Sequence, residues 1–268
     1  MRALHSPRPR VDQALAFTNL VLASAQPLAA YATRLTGHGV SEAERARKVD
    51  GPVSPTPGAF AIWLPLFSTS VLHGARVARS AENIASVRPV LWLMSAAYAC
   101  NSAWSLHAQL RGLGWPSVAI ISAGALSASA ALVGAERLSE QSHEARVAAR
   151  AVAPLAGWLT LATFANLEAT LNETGGRPRA ARETRRALAL LGAASGAASA
   201  VTWAGRSNPR YTAAVAWGLG GVVVRNLRAG NTRVVLAAAL GLGVSVAAAL
   251  LRRRSPRARR AASASQEF

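Results

Sequence analysis

The stretch PLAGWLTLATFANLEATLN, residues 154–172, decides how this chain is read. Pro154, Trp158, Ala162 and Asn166 stand four residues apart in a run that is almost free of charge. Each step of four advances about 40° beyond a full helical turn, so the set forms a slanting stripe down one helix face. The stripe offers a large ring, a small gap and an amide. Helix packing alone needs only the small residue, whereas a ring beside a gap with an amide at one end describes the wall of a cavity. The same residues also suit a plain packing seam, with Trp anchored at a membrane interface and Asn bonded to a neighbouring helix.

Composition places that helix in a membrane. Charged residues make up 16% of the 268 positions, against about 25% in soluble domains. Runs 13–33, 51–75, 89–110, 112–135, 151–167, 187–205 and 234–251 contain no Asp, Glu, Lys or Arg. Crossing a hydrocarbon core about 30 Å thick takes about 20 helical residues, which most of these runs supply or approach. A soluble bundle would carry charge on each exposed face. The net charge of +18 comes from basic residues between and beyond the runs. That is a loop pattern, and it argues against a nucleic-acid surface. A lone cysteine, Cys100, excludes a disulfide framework and a cysteine-based zinc site within one chain.

The pattern predicts an all-α, polytopic membrane protein of about eight transmembrane helices, near 12–33, 57–77, 89–111, 115–135, 147–172, 186–204, 211–224 and 234–251. The seventh is the shortest uncharged core, so Arg210 or Arg225 must snorkel there. The organisation expected is a basic tail over 1–11, five helices over 12–172, a basic loop over 173–185, three further helices over 186–252 and a disordered basic tail over 253–268. No cleavable signal is expected, because the first apolar run is long and lacks a small-x-small cleavage site. An even number of helices puts both termini on one side. Lys and Arg are only slightly more numerous there, so the positive-inside rule favours a cytoplasmic location for that side weakly.

Alternating direction also brings three segments to one depth. Phe60 and Trp63 open the second helix, Asn101 and Trp104 lie in the last half of the third, and Trp158, Ala162 and Asn166 lie on the fifth. The long loop 34–56 falls on the same side and is placed to cap a pocket. His73 and His107 lie near opposite membrane faces, about 27 Å apart in depth at 1.5 Å per residue, and cannot share one haem iron. No metal site and no hydrolase or kinase constellation is legible, and Gly218-Leu219-Gly220-Gly221 lacks the strand and acidic partner of a dinucleotide site. Glu168 is the one acid set deep in an apolar run. It is expected either to snorkel to the headgroups or to pair with His107 or Arg111.

The ordered set P-x-P-x-x-F-x-x-W at 55–63, N-x-x-W-S at 101–105 and P-x-x-x-W-x-x-x-A-x-x-x-N at 154–166 resembles the translocator-protein and tryptophan-rich sensory protein (TspO/MBR) family. The five-helix form of that family corresponds to 12–172. The segment 211–221 and the eighth helix are similar to a longer branch with extra C-terminal helices. The resemblance implies a TspO-like bundle in the first five helices, with a pocket for tetrapyrroles, sterols or synthetic aromatic compounds. Phe67 departs from the Tyr usual there in the short form, and Leu-Glu-Ala-Thr after Asn166 lacks a Tyr-then-basic sterol signature.

The reading is therefore a non-catalytic, multi-pass membrane small-molecule binding or sensory protein. Its expected ligand-binding residues are Phe60, Trp63, Asn101, Trp104, Trp158, Ala162 and Asn166. No cofactor is required, and a porphyrin or haem-type molecule is the ligand the resemblance points to. The partners are the lipid bilayer and a small hydrophobic ligand, with a homodimer allowed and nucleic acid excluded. A secondary carrier for a small apolar metabolite and a membrane scaffold are the rival readings; scarce ionisable residues at mid-membrane weigh against coupled transport.

Overall fold

A computed structural model describes residues 9–41, 44, 51–80, 84–176 and 178–254, with side chains described as far as residue 252. These form eight long helices and no strand: α1 (Arg10–Ala30), α2 (Trp63–Arg79), α3 (Arg88–Leu110), α4 (Trp115–Leu138), α5 (His143–Gly175), α6 (Ala180–Ala204), α7 (Pro209–Arg228) and α8 (Thr232–Arg254). A short helical piece, Ala32–Thr36, follows α1, and a 3-10 turn, Pro57–Ile62, leads into α2. Most of the two expected tails, 1–11 and 253–268, lies outside the described residues.

Helix boundaries follow local chemistry. Ser142 caps α5 by accepting the N–H of Ala145 at 3.2 Å, and Asn208 caps α7 by accepting the N–H groups of Arg210 and Tyr211. Gly112, at φ 92°, makes the tight turn between α3 and α4 in a backbone region that suits glycine. The basic loop expected over 173–185 is corrected: α5 continues to Gly175 and α6 begins at Ala180. Ala, Arg and Glu are good helix formers, so charge there marks helix ends that project into water.

Direction alternates along the chain, and polar contacts fix the levels. At one face, here the A face, Arg88 at the start of α3 holds Asp12 at the start of α1 at 2.7 Å. Arg76 near the end of α2 holds Glu144 at the start of α5 at 2.7 Å. Asn208 before α7 donates to Glu136 near the end of α4 at 2.6 Å. The guanidinium of Arg252, late in α8, lies over the Trp203 ring at the end of α6, 5.7 Å from its centroid. Both ends of the helical chain therefore share one face, as an even number of helices requires.

The helices close into two rings. Contacts run from α1 to α2, α5, α4, α3 and back to α1, and separately from α5 to α7, α8, α6 and back to α5. Helix α5 belongs to both, and its central stretch from Ala151 to Thr160 is continuously buried except at Pro154. Gly157 makes the sharing work: a Cβ there would lie 2.6 Å from the Tyr211 carbonyl oxygen and 2.9 Å from Ala214 Cβ. Thr160 and the Tyr211 hydroxyl, 3.2 Å apart, join the same helices one turn on.

Helices α1 and α3 run parallel and are joined by a polar seam that repeats every seven residues along α1 and into the short helical piece after it. Asp12 meets Arg88, Asn19 donates to Ser95 at 3.1 Å, Gln26 accepts from Asn101 at 3.0 Å, and the backbone N–H of Thr33 donates to Gln109 at 2.9 Å. Seven residues are close to two turns, so these side chains stay on one stripe through the whole depth of the bundle.

Among the described residues, five helical segments are long and apolar enough to cross a membrane: Pro57–Arg79, Trp115–Leu138, His143–Gly175, Ala180–Ala204 and Thr232–Arg252. Helices α1, α3 and α7 fall short of the eight expected, and composition explains why. The first two carry the polar seam, and α7 ends with Arg225, Asn226 and Arg228.

Replacing Gly157 with Ala should force α5 and α7 apart and lower stability by about 1–3 kcal/mol, the usual cost of overpacking. Thermal unfolding in detergent would measure this, with Gly192→Ala as the comparison. A Cβ at Gly192 meets nothing within 4 Å, so that variant should unfold with the parent.

Candidate functional site

An apolar cavity of about 100 Å³ lies beside α5, toward the face opposite the A face. On α5 its wall is Trp158, Leu161, Ala162, Ala165, Asn166 and Ala169. Trp104 and Ala108 of α3 and Leu113 form one side, and Val53, Ser54, Pro55 and Phe60 lie across it. Opposite α3, Leu191 and Ala194 of α6 and Gly218, Leu219 and Val222 of α7 complete it.

The structure brings five of the seven expected residues to this wall: Phe60, Trp104, Trp158, Ala162 and Asn166. Phe60 meets the Trp158 ring edge to face at 5.6 Å, a favoured arrangement for paired aromatic rings. Trp63 is displaced from the wall; it packs behind Phe60 at 5.2 Å and against Phe67 at 5.8 Å. Asn101 is also displaced, because its amide is committed to Gln26 in the α1–α3 seam. A step of three offsets the two by about 60° around α3, so Trp104 reaches Asn166 on α5 while Asn101 reaches Gln26 on α1.

Asn166 fixes the polar end of the cavity. Its carbonyl oxygen accepts from the Trp104 indole N–H at 3.1 Å, and its amide nitrogen donates to the Ser117 hydroxyl at 3.1 Å. One side chain of α5 thereby positions α3 and α4, and its own amide is bonded at both ends. No lining residue carries a charge. Such a site recognises apolar shape and ring stacking. For scale, a dry cavity of about 150 Å³ admits a benzene molecule. A larger planar ligand would require part of this wall to move.

Glu168 departs from its expected partners. It is fully buried, and Oε2 accepts the backbone N–H of Val53 at 2.8 Å. Arg186 and Arg225, rather than His107 or Arg111, are the basic groups that act on it most strongly. A rotation of 200° along α5 separates Glu168 from Asn166, so it faces α6, α7 and residues 51–53 instead of α3. Gly51 follows from this placement, since a Cβ there would run into the carboxylate.

Sequence reasoning missed the contribution of α6 and α7. Its clue was the small-residue run Gly218-Leu219-Gly220-Gly221, which allows close approach: a Cβ at Gly221 would lie 2.8 Å from Pro55 Cβ and 3.0 Å from Ala59 Cβ. The seam on α1 and α3 was missed as well, although Asp12, Asn19 and Gln26 at steps of seven announce it. Among the described residues, no group of three or more His, Cys, Asp or Glu is placed to hold a metal ion.

The family model described as TSPO-like protein matches residues 15–251, which takes in all of α2 through α7 and most of α1 and α8. No curated protein and no solved structure matches the chain. With most of its length covered by that match, the chain belongs to the TSPO-like protein family.

Proposed function

We propose that this membrane protein is a non-catalytic binder of a flat, apolar small molecule such as a tetrapyrrole, held in the cavity beside α5, and that all eight long helices span the bilayer. The observation that carries the reading is the enclosure of one uncharged cavity by Phe60, Trp104, Trp158, Ala162 and Asn166. Stacking between rings contributes about 0.5–1.5 kcal/mol beyond the area buried. An uncharged wall whose amide is already satisfied supports affinity through shape and rings. The cavity is smaller than a porphyrin, so in this reading residues 53–60 withdraw as the ligand enters.

Spanning by α1, α3 and α7 is supported by their length and by hydrogen bonds that direct Asn19, Gln26, Asn101 and Asn226 into the protein. Buried Asn, Gln and Ser side chains that bond across helices are tolerated in a bilayer. The binding unit in this reading extends beyond 12–172, because α6 and α7 supply part of the wall.

Titration of the purified protein with a porphyrin, followed by quenching of Trp fluorescence, should give a saturable isotherm. Trp158→Ala should weaken it by the stacking contribution above plus the lost buried area, roughly 10- to 100-fold. Lack of saturation in the parent protein would sink the binding reading in favour of a carrier or scaffold. For topology, single cysteines at Arg206 and Ala229 in a Cys100→Ala background should label from opposite sides of sealed vesicles. Labelling from one side would show that α7 does not span.

A further inference from the structure

We infer that residues 52–59 form a strap latched shut by α5 and α7, and that release of this latch, centred on Glu168 and Asn226, controls access to the cavity. The inference rests on the binding reading above and adds a device that governs it. Four hydrogen bonds tie the strap down within eight residues. The Val53 N–H donates to Glu168 Oε2 at 2.8 Å, and the Thr56 N–H donates to the Gly221 carbonyl at 3.2 Å. The Asn226 amide donates to the Pro52 carbonyl at 2.8 Å, and the Trp217 indole N–H donates to the Ala59 carbonyl at 2.7 Å. One partner is on α5 and three are on α7.

Every bond uses strap backbone, so the latch works through chain path and is indifferent to most strap side chains. The side chains of Val53, Ser54 and Pro55 form cavity wall instead. The strap cannot lift without opening the cavity. Gly221 lets it lie close, since a Cβ there would collide with Pro55 and Ala59.

The closed state is held against an opposing cost. Glu168 is fully buried, yet Oε2 has one backbone partner and Oε1 has no hydrogen-bond partner. A buried carboxylate so sparsely bonded is poorly compensated for lost water. Lifting residues 51–53 returns water to it. Rehydration of Glu168 thereby offsets part of what the four latch bonds contribute to the closed state. By contrast, the α1–α3 seam is bonded between its own two helices and stays fixed while the strap moves.

The test uses full-length protein in lipid nanodiscs with Cys100→Ala and Val53→Cys. Val53 is buried, so maleimide labelling at that position reports opening. Asn226→Leu and Trp217→Phe each remove one donor and should speed labelling about two- to tenfold, the effect of one net hydrogen bond. As a control, Glu168→Gln keeps an acceptor for the Val53 N–H while removing the carboxylate whose burial opposes closure, so it should label no faster than the parent. Asn19→Leu breaks a seam bond of similar kind and should label at the parent rate. Asn226→Leu and Trp217→Phe no faster than the parent would overturn the proposal. Equal acceleration by Asn19→Leu would also overturn it, by showing general loosening. Porphyrin kinetics form a second arm, in which Asn226→Leu should raise association and dissociation rates together. If the parent binds no porphyrin, the binding reading fails while the labelling result still decides the latch.

Discussion

The contact on which the rest depends is the approach of α7 to α5 at Gly157, where only a hydrogen atom separates the α5 backbone from the Tyr211 carbonyl and Ala214. That proximity makes α5 a wall of both helix rings. It places Leu161 against Gly218, and it brings Gly221, Asn226 and Trp217 over the start of α2. Were α5 and α7 a normal helix spacing apart, near the upper end of 8–10 Å, Pro55 would lose its support and the cavity would stand open. Close helix approach through small residues is the main way to gain packing energy in a bilayer, where burial of apolar surface gives no advantage over lipid.

The molecule divides into a part built to stay and a part able to move. The α1–α3 seam ties the two helices at four levels through the depth of the bundle, although Asp12 Oδ2 and Asn19 Oδ1 keep no hydrogen-bond partner. Sliding one helix by a single residue would break all four cross-links together. The strap instead depends on separate bonds from its backbone to α5 and α7, near the membrane surface, where water can replace each in turn. Rigid α1 and α3 present Trp104 to Asn166 at a fixed place, while the opposite wall is formed by chain that can be exchanged for water.

Much of this was legible in the sequence, and the failures share one physical origin. The uncharged runs place every long helix to within six residues at either end, because charge content is a local property. Depth is legible too, since alternating direction plus a 1.5 Å rise puts Phe60, Trp104 and Asn166 at one level. Azimuth is not. Depth alone sets Glu168 beside His107, yet two residues along a helix rotate a side chain by 200°. Depth likewise groups Asn101 with Trp104, although it faces Gln26 instead. Heptad spacing of Asp12, Asn19 and Gln26 does contain azimuthal information, because only residues on one face recur at seven. The part played by α7 is hidden because glycine carries no side chain to signal a contact.

The same polar residues also explain why three helices are less apolar than the other five. In α1 and α3 polarity is directed across one interface, with Asn19 and Gln26 fully turned from lipid. In α7, Asn226 is buried against Pro52 and its own helix, donating to the Val222 carbonyl at 2.8 Å as well as to the strap. Low apolar content in these helices therefore reflects what they face inward. A substitution that made α7 more apolar at Asn226 would improve it as a membrane segment and weaken its hold on the strap. A tight cavity and an apolar helix make opposite demands on that position. Asn226 resolves the conflict by presenting no unpaired donor to lipid, which allows a helix of modest hydropathy to stand in the bundle and still reach the strap that covers the cavity.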